Sequence, residues 1–334
     1  MNIGFFSAHG FERKIFDSLL QNDPFSSISL TYFDVRLTED TLPLARGFPI
    51  LSVFVSDRLS REVIEDLSQH GLKLLALRSA GFNHVDLEAC KEYGVSVARV
   101  PAYSPYAVAE HAVCLVLSLN RKIHRAYQRV KELNFSLDGL VGFDMHGKNA
   151  GIIGTGEIGM TFASIMSGFG MKILAYDPKP DAGLETLPDA SYVSFEELIS
   201  KSDIISLHCP LTPDTFHLLS QNEIARMKEG VFILNTGRGG LIDTKALIDG
   251  LKSGRIGAAG LDVYEEEEGV FFYDHSEGIL KDDVLARLLT FPNVLVTAHQ
   301  AFLTKEALHN IASTTLESIL KFNQGKEPEN LVSA

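Results

Sequence analysis

Short apolar runs alternate with polar segments of helical period along almost the whole chain. Up to residue 100 the runs fall at 3–6, 28–33, 50–55, 74–77 and 95–100, and segments such as 61–70 and 86–92 separate them. Runs this short, bounded by polar sequence, suit buried strands, and their alternation with helices predicts a parallel α/β unit. Val100-Pro101 marks a boundary. Beyond it, Ser104-Pro105 can cap and open a long helix toward Arg121, with proline at the first helical position. The alternation then resumes, with strands predicted at 150–153, 171–176, 203–209, 231–235, 258–263 and 294–299. From Gln300 onward the pattern gives one helix and a polar tail, too little for a further domain.

One turn changes the picture from architecture to chemistry. Gly154-Thr155-Gly156-Glu157-Ile158-Gly159 follows a predicted strand and opens a helix whose apolar face reads Ile158, Phe162, Ile165, Met166 and Phe169. Glycines there allow a tight turn, close approach of backbone to a pyrophosphate, and close packing of helix on sheet. The phosphates then sit at a helix N-terminus, where unpaired N–H groups favour negative charge. Asp177 ends the next strand, roughly 20 residues on, where a carboxylate accepts ribose hydroxyls and repels a 2′-phosphate. The cofactor predicted is NAD, in preference to NADP.

Composition sets the remaining bounds. At 334 residues the chain is longer than one core usually supports, so two domains are expected. Lys and Arg number 30 against 43 Asp and Glu, a net charge of −13 with no basic cluster, which argues against nucleic acid and anionic membranes as partners. The most apolar internal stretch, 112–119, is far short of the roughly 20 residues a membrane span needs. Cys90, Cys114 and Cys209 are widely spaced, lie in or beside apolar segments and lack metal-type pairing. They are expected to be buried core thiols, with no disulfide framework and no metal site, as fits a reducing cytoplasm. The N-terminus lacks a basic region and a cleavage site and reads as a first strand, not a signal peptide.

Three strand ends carry residues suited to hydride transfer to a keto acid. Asn235-Thr236-Gly237-Arg238-Gly239-Gly240 places an arginine in a small-residue turn at the carboxyl edge of the sheet, where α/β proteins bind ligands. Its planar fork matches a carboxylate and keeps its charge at every relevant pH. His299 ends the predicted strand 294–298, and an imidazole there can give and take a proton near neutral pH. An acidic run, Glu265-Glu266-Glu267-Glu268, supplies carboxylates, but by itself such a run is a solvated face.

At this point the chain resembles the D-isomer-specific 2-hydroxyacid dehydrogenases over essentially its whole length, and within them the fermentative D-lactate-forming members. The motifs are Arg78-Ser79-Ala80-Gly81-Phe82-Asn83-His84-Val85-Asp86, Val100-Pro101-Ala102-Tyr103-Ser104-Pro105 with Ala107-Val108-Ala109-Glu110-His111, and the Gly154 turn. Asn235-Thr236-Gly237-Arg238-Gly239, Leu261-Asp262-Val263-Tyr264-Glu265 and Thr297-Ala298-His299-Gln300-Ala301-Phe302 complete them. The resemblance implies an α/β fold of two doubly wound domains. A Rossmann NAD-binding domain with dimerisation helices (102–299) would be inserted in a flavodoxin-like substrate domain (1–101 and 300–334).

It further implies that Arg238 holds the substrate carboxylate and polarises its carbonyl, that His299 is the acid in reduction and the base in oxidation, and that Glu267 orients and charges the imidazole. Glu267 is the fifth residue after Asp262 in the family pattern, which leaves the other three glutamates as ordinary surface charges. Substrate contacts would come from Ala80, Gly81, Tyr103 and Phe302. NAD contacts would come from Gly154, Gly156, Glu157, Ile158, Gly159, Asp177, Cys209, Pro210, Thr215, Thr236, Gly237 and Asp262, with Cys209 a packing residue beside adenine.

The segment 269–276 resembles the longer loop of the D-lactate-forming members, and Phe302 offers an apolar wall, so pyruvate is the expected substrate and D-lactate the product. Phosphoglycerate is disfavoured, because no second basic cluster and no C-terminal regulatory domain are expected. A broader enzyme acting on larger 2-keto acids such as phenylpyruvate is the alternative. A third reading is an NAD-sensing binding protein of the same fold, whose extra interaction segments have no counterpart here. The helix after Ser104 and the segment 120–147 resemble the family's dimerisation region, so a homodimer or homotetramer is expected.

Overall fold

The computed structural model describes residues 1–332. The chain forms two compact units, one from Met1–Ser104 together with the chain from Leu303 onward, the other from Pro105–Phe302. Both junctions lie three residues beyond those drawn from the sequence at 101/102 and 299/300.

In chain order the strands are β1 (Asn2–Phe5), β2 (Ser29–Tyr32), β3 (Ile50–Val53), β4 (Leu74–Leu77), β5 (Ser96–Ala98), β6 (Asn149–Ile153) and β7 (Lys172–Tyr176). There follow β8 (Ala190–Tyr192), β9 (Ile204–Leu207), β10 (Val231–Asn235), β11 (Ile256–Leu261), β12 (Val294–Val296) and β13 (Leu331–Val332).

The first unit holds a sheet in the order β13-β5-β4-β3-β1-β2, parallel except for β13, which runs antiparallel to β5. Its central strands β3 and β4 are buried at every position because both faces are covered. Leu75 and Leu77 join one core with Val63, Ile64 and Leu67 of the helix Arg61–Gln69. Leu74 and Ala76 face the other way, against Phe16, Ala312, Leu316 and Ile319, the last three on the helix Lys305–Asn323. The polar tail expected from sequence contains β13. Two apolar residues are too short for a period to show, and the exposed edge of β5 supplies their pairing.

The second unit holds a fully parallel sheet in the order β12-β11-β10-β9-β6-β7-β8. The order runs outward in both directions from β6 and β9, so the chain reverses between them and leaves a crevice beyond their carboxyl ends. The Gly154 turn follows β6 and His208-Cys209-Pro210 follows β9, at that crevice. On one face, the helix Pro105–Asn120 packs Ala109, Ala112, Val113 and Val116 with Phe162, Ala163 and Met166 of the helix Glu157–Gly168. Phe169 departs from the expected apolar face: the helix ends at Gly168, the register is lost, and the ring is 39% exposed.

The cysteine reading also needs correction. Cys90 is buried, Cys209 is half-buried, and Cys114 is exposed. The helix carrying Cys114 is apolar nearly all round, so position in an apolar stretch does not fix burial.

Candidate active site

The glycine turn divides three roles among its glycines. Gly154 sits at φ +94, and a Cβ there would lie 2.6 Å from the backbone nitrogen of Cys209. Gly156 faces open space, with nothing within 4 Å of a Cβ. Gly159 packs so closely that a Cβ would meet the carbonyl oxygen of Gly154 at 2.0 Å. One glycine makes the turn, one leaves the backbone open to a phosphate, and one lets the helix start against the strand. Glu157 and Ile158 form the first turn of that helix, Glu157 exposed and Ile158 packed on the core.

Asp177 closes β7 and receives the backbone N–H of Thr155 at 2.7 Å on one oxygen and that of Lys179 at 2.8 Å on the other. Its carboxylate is thereby fixed beside the glycine turn, with lone pairs remaining for a diol. Across the crevice, His208 packs on Phe162 and shares a 2.8 Å hydrogen bond with the Ser206 hydroxyl. Burial pushes its imidazole down to about 3, so it stays neutral. Burial likewise pushes the Cys209 thiol up to about 11, which makes it a packing group and not a nucleophile. The Thr215 hydroxyl donates to the Pro210 carbonyl at 2.7 Å and stiffens the loop after β9. At the end of β10 the Thr236 hydroxyl is buried without a hydrogen-bond partner, an unspent polar group where a ligand would use it. These features fit a dinucleotide.

The reactive groups stand on three turns of the same unit. Asn235 clamps the first, receiving the Gly237 N–H at 3.0 Å and donating to the Arg238 carbonyl at 2.9 Å. Arg238 is half-buried and donates to the Gly237 carbonyl at 2.7 Å. A Cβ on Gly239 would lie 2.0 Å from the Tyr264 carbonyl group, so the arginine turn rests directly on the backbone that leads into the acidic run.

In that run Glu267 and Glu265 each face a histidine. Glu267 pairs with Nδ1 of His299 at 3.0 Å and also receives the Tyr264 N–H at 3.3 Å. A carboxylate only accepts, so Nδ1 carries the proton and Nε2 is the nitrogen left for a substrate. Glu265 is not the ordinary surface charge expected: it pairs with His217 at 2.6 Å and accepts from Thr244 at 3.0 Å.

His299 does not end a strand, as the sequence suggested. β12 stops at Val296, and Ala298 and His299 both take left-handed backbone, φ +51 and +59. The cause is Asp262, which is fully buried. It accepts from the Thr297 hydroxyl at 2.6 Å, the Gln300 N–H at 2.8 Å and the Ala301 N–H at 2.9 Å, and lies 3.4 Å from His111. Burial pushes its carboxyl up, but hydrogen bonds from His111, Thr297 and Ala301 outweigh this and hold it below the usual carboxylate range. The side chain that the resemblance sets against the cofactor thus also folds the histidine turn. Phe302, three residues past the histidine, is buried.

In the first unit, the loop after β4 carries Ala80 and Gly81, and the carbonyls of Ser79, Ala80 and Gly81 are engaged. Val100 N–H donates to Ser79 at 3.0 Å, Arg99 to Ala80 at 2.9 Å, and the Ser79 hydroxyl to Gly81 at 2.7 Å. Arg78, at the start of the loop, is buried against Glu12 at 2.9 Å and donates to the carbonyls of Phe6 and Ser7. The Tyr103 carbonyl accepts from Asn310 at 2.6 Å. Arg99, His208 and His217 were not singled out by sequence, and His111 was quoted only as part of a motif with no role; Arg99, His111 and His217 each contact a partner distant in the chain, which periodicity does not reveal.

A family model described as the D-isomer specific 2-hydroxyacid dehydrogenase NAD binding domain matches residues 113–301, more than half of the chain. This chain belongs to the D-isomer-specific 2-hydroxyacid dehydrogenases. It is 50% identical over 333 residues to D-lactate dehydrogenase of Escherichia coli, covering 99% of this chain and 100% of that one. An apo-structure of D-lactate dehydrogenase from Escherichia coli superposes with a TM-score of 0.90 at 47% identity, covering 99% of this chain and 100% of that chain. Aromatic 2-oxoacid reductase of Clostridium sporogenes is 46% identical over 280 residues, 84% of each chain. As a 2-hydroxyacid dehydrogenase of this family the chain is an NAD-dependent oxidoreductase. Among the described residues no cluster of metal-ligating side chains occurs, and no helix is long and apolar enough to cross a membrane.

Proposed function

We propose that the chain is a D-lactate dehydrogenase, reducing pyruvate reversibly to D-lactate. The observation that carries a catalytic role is the Glu267–His299 pair at 3.0 Å, on a turn that leaves Nε2 uncommitted to Glu267. It also favours an enzyme over a purely NAD-sensing binding protein, which has no need of an imidazole held by a carboxylate. When bound, NADH supplies the hydride. Arg238 holds the keto acid's carboxylate and draws electron density from its carbonyl. His299 gives its Nε2 proton to the forming alkoxide, and Glu267 stabilises the imidazolium that precedes this step. In oxidation the neutral imidazole takes the proton back. The Ala80 and Gly81 amides with Tyr103 serve the carboxylate, and Phe302 forms an apolar wall suited to a methyl group. Gly154, Gly156, Glu157, Ile158 and Gly159 hold the pyrophosphate, Asp177 the adenosine ribose, and Cys209, Pro210 and Thr215 line the adenine side. Thr236 and Gly237 meet the nicotinamide half.

The similarity to an aromatic 2-oxoacid reductase supports a second reading, in which larger keto acids such as phenylpyruvate are preferred. A panel of 2-keto acids with NADH, followed by chiral analysis of the products, decides between them. The highest kcat/KM with pyruvate and a D product supports the first reading; a preference for phenylpyruvate supports the second; an L product refutes both. A cytoplasmic location belongs to the same proposal, supported by three free cysteines.

A further inference from the structure

The loop after Glu267 places an aromatic ring on the proposed acid/base. The N–H groups of Val270 and Phe271 both donate to the Glu267 carbonyl at 3.1 Å, so the chain turns sharply behind the carboxylate. Phe271 is anchored in the core, 5% exposed and against Tyr264. Phe272 is different. It is half-buried, its backbone sits at φ +71, and its ring centroid lies 5.6 Å from that of His299, tilted by 39°.

Positive φ is costly for a bulky side chain and free for glycine, which this loop already uses at Gly269 with φ +75. Phe272 packs beside Val270 and Leu280 against the core that Phe271 joins, but that packing does not by itself account for the ring set beside the imidazole. A reason lies in how His299 is held. It stands on a left-handed turn and not on a strand, and its imidazole is tied by one bond, Nδ1 to Glu267. One bond leaves the ring free to swing about the Nδ1···Oε1 line, which carries Nε2 away from any fixed carbonyl. A wall against the imidazole removes that freedom, and reacting groups must be held to within a fraction of an ångström for efficient transfer.

We propose that Phe272 is a positioning residue for the reaction, its ring fixing the plane of the His299 imidazole so that Nε2 stays aimed at the keto-acid oxygen. The inference rests on His299 being the acid/base, and its test includes a control for that reading.

Phe272→Gly removes the wall while suiting the backbone, and Phe272→Leu keeps an apolar wall. Phe272→Asn, a residue type that tolerates left-handed backbone, replaces the glycine variant if that one fails to fold. Each full-length protein is assayed for pyruvate reduction with NADH and with NADH deuterated at the transferred position, and NADH-binding sites are counted by fluorescence titration. For Phe272→Gly, kcat per NADH-binding site falls at least about tenfold, KM for pyruvate stays within about threefold, and NADH affinity is unchanged. The deuterium isotope effect is not smaller than the parent's, because the chemical step is the one that slows. Phe272→Leu keeps kcat within about threefold of the parent. Loss of binding sites with parent-like turnover per site reveals a merely structural ring and overturns the proposal. So does parent-like activity in the glycine variant. His299→Gln is run alongside: if it turns over like the parent, the acid/base reading fails and takes this inference with it, whereas its inactivity together with an active glycine variant overturns the positioning role alone.

Discussion

Nδ1 of His299 faces a carboxylate at 3.0 Å, and that single contact fixes which ring nitrogen is left to act as the acid. Reduction requires the imidazolium and oxidation the neutral ring, so the two directions have opposite pH dependence. Replacing Glu267 by glutamine keeps the shape but lets an amide N–H face Nδ1, which no longer holds the imidazole in the required tautomer. The kcat/KM of Glu267→Gln therefore falls at least about a hundredfold in both directions. Parent-like kcat/KM, measured in both directions with the chemical step limiting, would rule the pairing out. Arg238 makes a geometric demand as well as an electrostatic one. Arg238→Lys keeps the charge and loses the planar fork, and kcat/KM falls at least about a hundredfold while the protein remains folded. Near-parent kinetics would show that the fork is not what holds the substrate. Both positions were marked in the sequence, the arginine by its small-residue turn and the glutamate by the family spacing, and the glutamate is the member of its run that pairs with His299. The sequence did not reveal that Glu265 also has a partner, because His217 lies 48 residues away and nothing periodic links them. Nor did it reveal the left-handed backbone under His299, which depends on a buried aspartate collecting donors from a later turn.

The elements themselves were easier to read, for a physical reason. Both sheets are parallel apart from β13, and their central strands are covered on both faces and read as apolar runs bounded by polar sequence, so β4 and β10 fall on the predicted residues. The glycine turn is equally legible, since Gly154 and Gly159 answer to steric demands and Gly156 leaves the backbone open, all within one short motif. What escapes is any element stabilised by a remote partner. β13 exists because β5 has an edge, and the buried Arg78–Glu12 pair joins residues 66 positions apart. That pair ties β4 to the first helix, Gly10–Leu20, and Arg78 also reaches the Ser52 hydroxyl on β3 at 3.2 Å and stacks over the Phe5 ring at 3.8 Å. Burial pushes the Glu12 carboxyl up while Arg78 draws it down, with burial the larger effect. Removing one member of such a pair leaves a buried charge without compensation. Glu12→Ala is expected to lose about 3–5 kcal/mol of stability, read from urea unfolding, and to loosen the Ala80–Gly81 loop that Arg78 begins. An unchanged midpoint would mean that water or a neighbouring group compensates the guanidinium, and the anchoring role assigned to the pair would fall.

At the scale of the whole molecule two surface properties pull in opposite directions. A net charge of −13 makes copies repel one another. Yet Tyr106, Ile123, Tyr127, Val130, Leu133, Phe135, Leu137 and Val141, all within one stretch of the second unit, are between 51% and 82% exposed. So dense a set of large apolar side chains is unusual on the surface of a monomer, where scattered single residues are the norm. The helix Ile123–Lys131 shows the conflict locally: it has no buried residue, and it carries basic groups beside Tyr127 and Val130. We propose that this stretch is covered by a second copy of the chain, as the resemblance of 120–147 to a dimerisation region implies. Sedimentation at micromolar concentration should then give at least a homodimer. Association of this kind is driven by apolar burial, so raising the salt screens the like charges and strengthens it, where a charge-paired interface would weaken. Phe135→Asp combined with Leu137→Asp places like charges on the exposed face and should yield a folded monomer, with the NADH affinity of the parent retained if cofactor binding is complete within one copy. A parent that sediments as a monomer at every salt concentration, or a double variant that assembles as the parent does, would remove the second copy as the occupant of this surface.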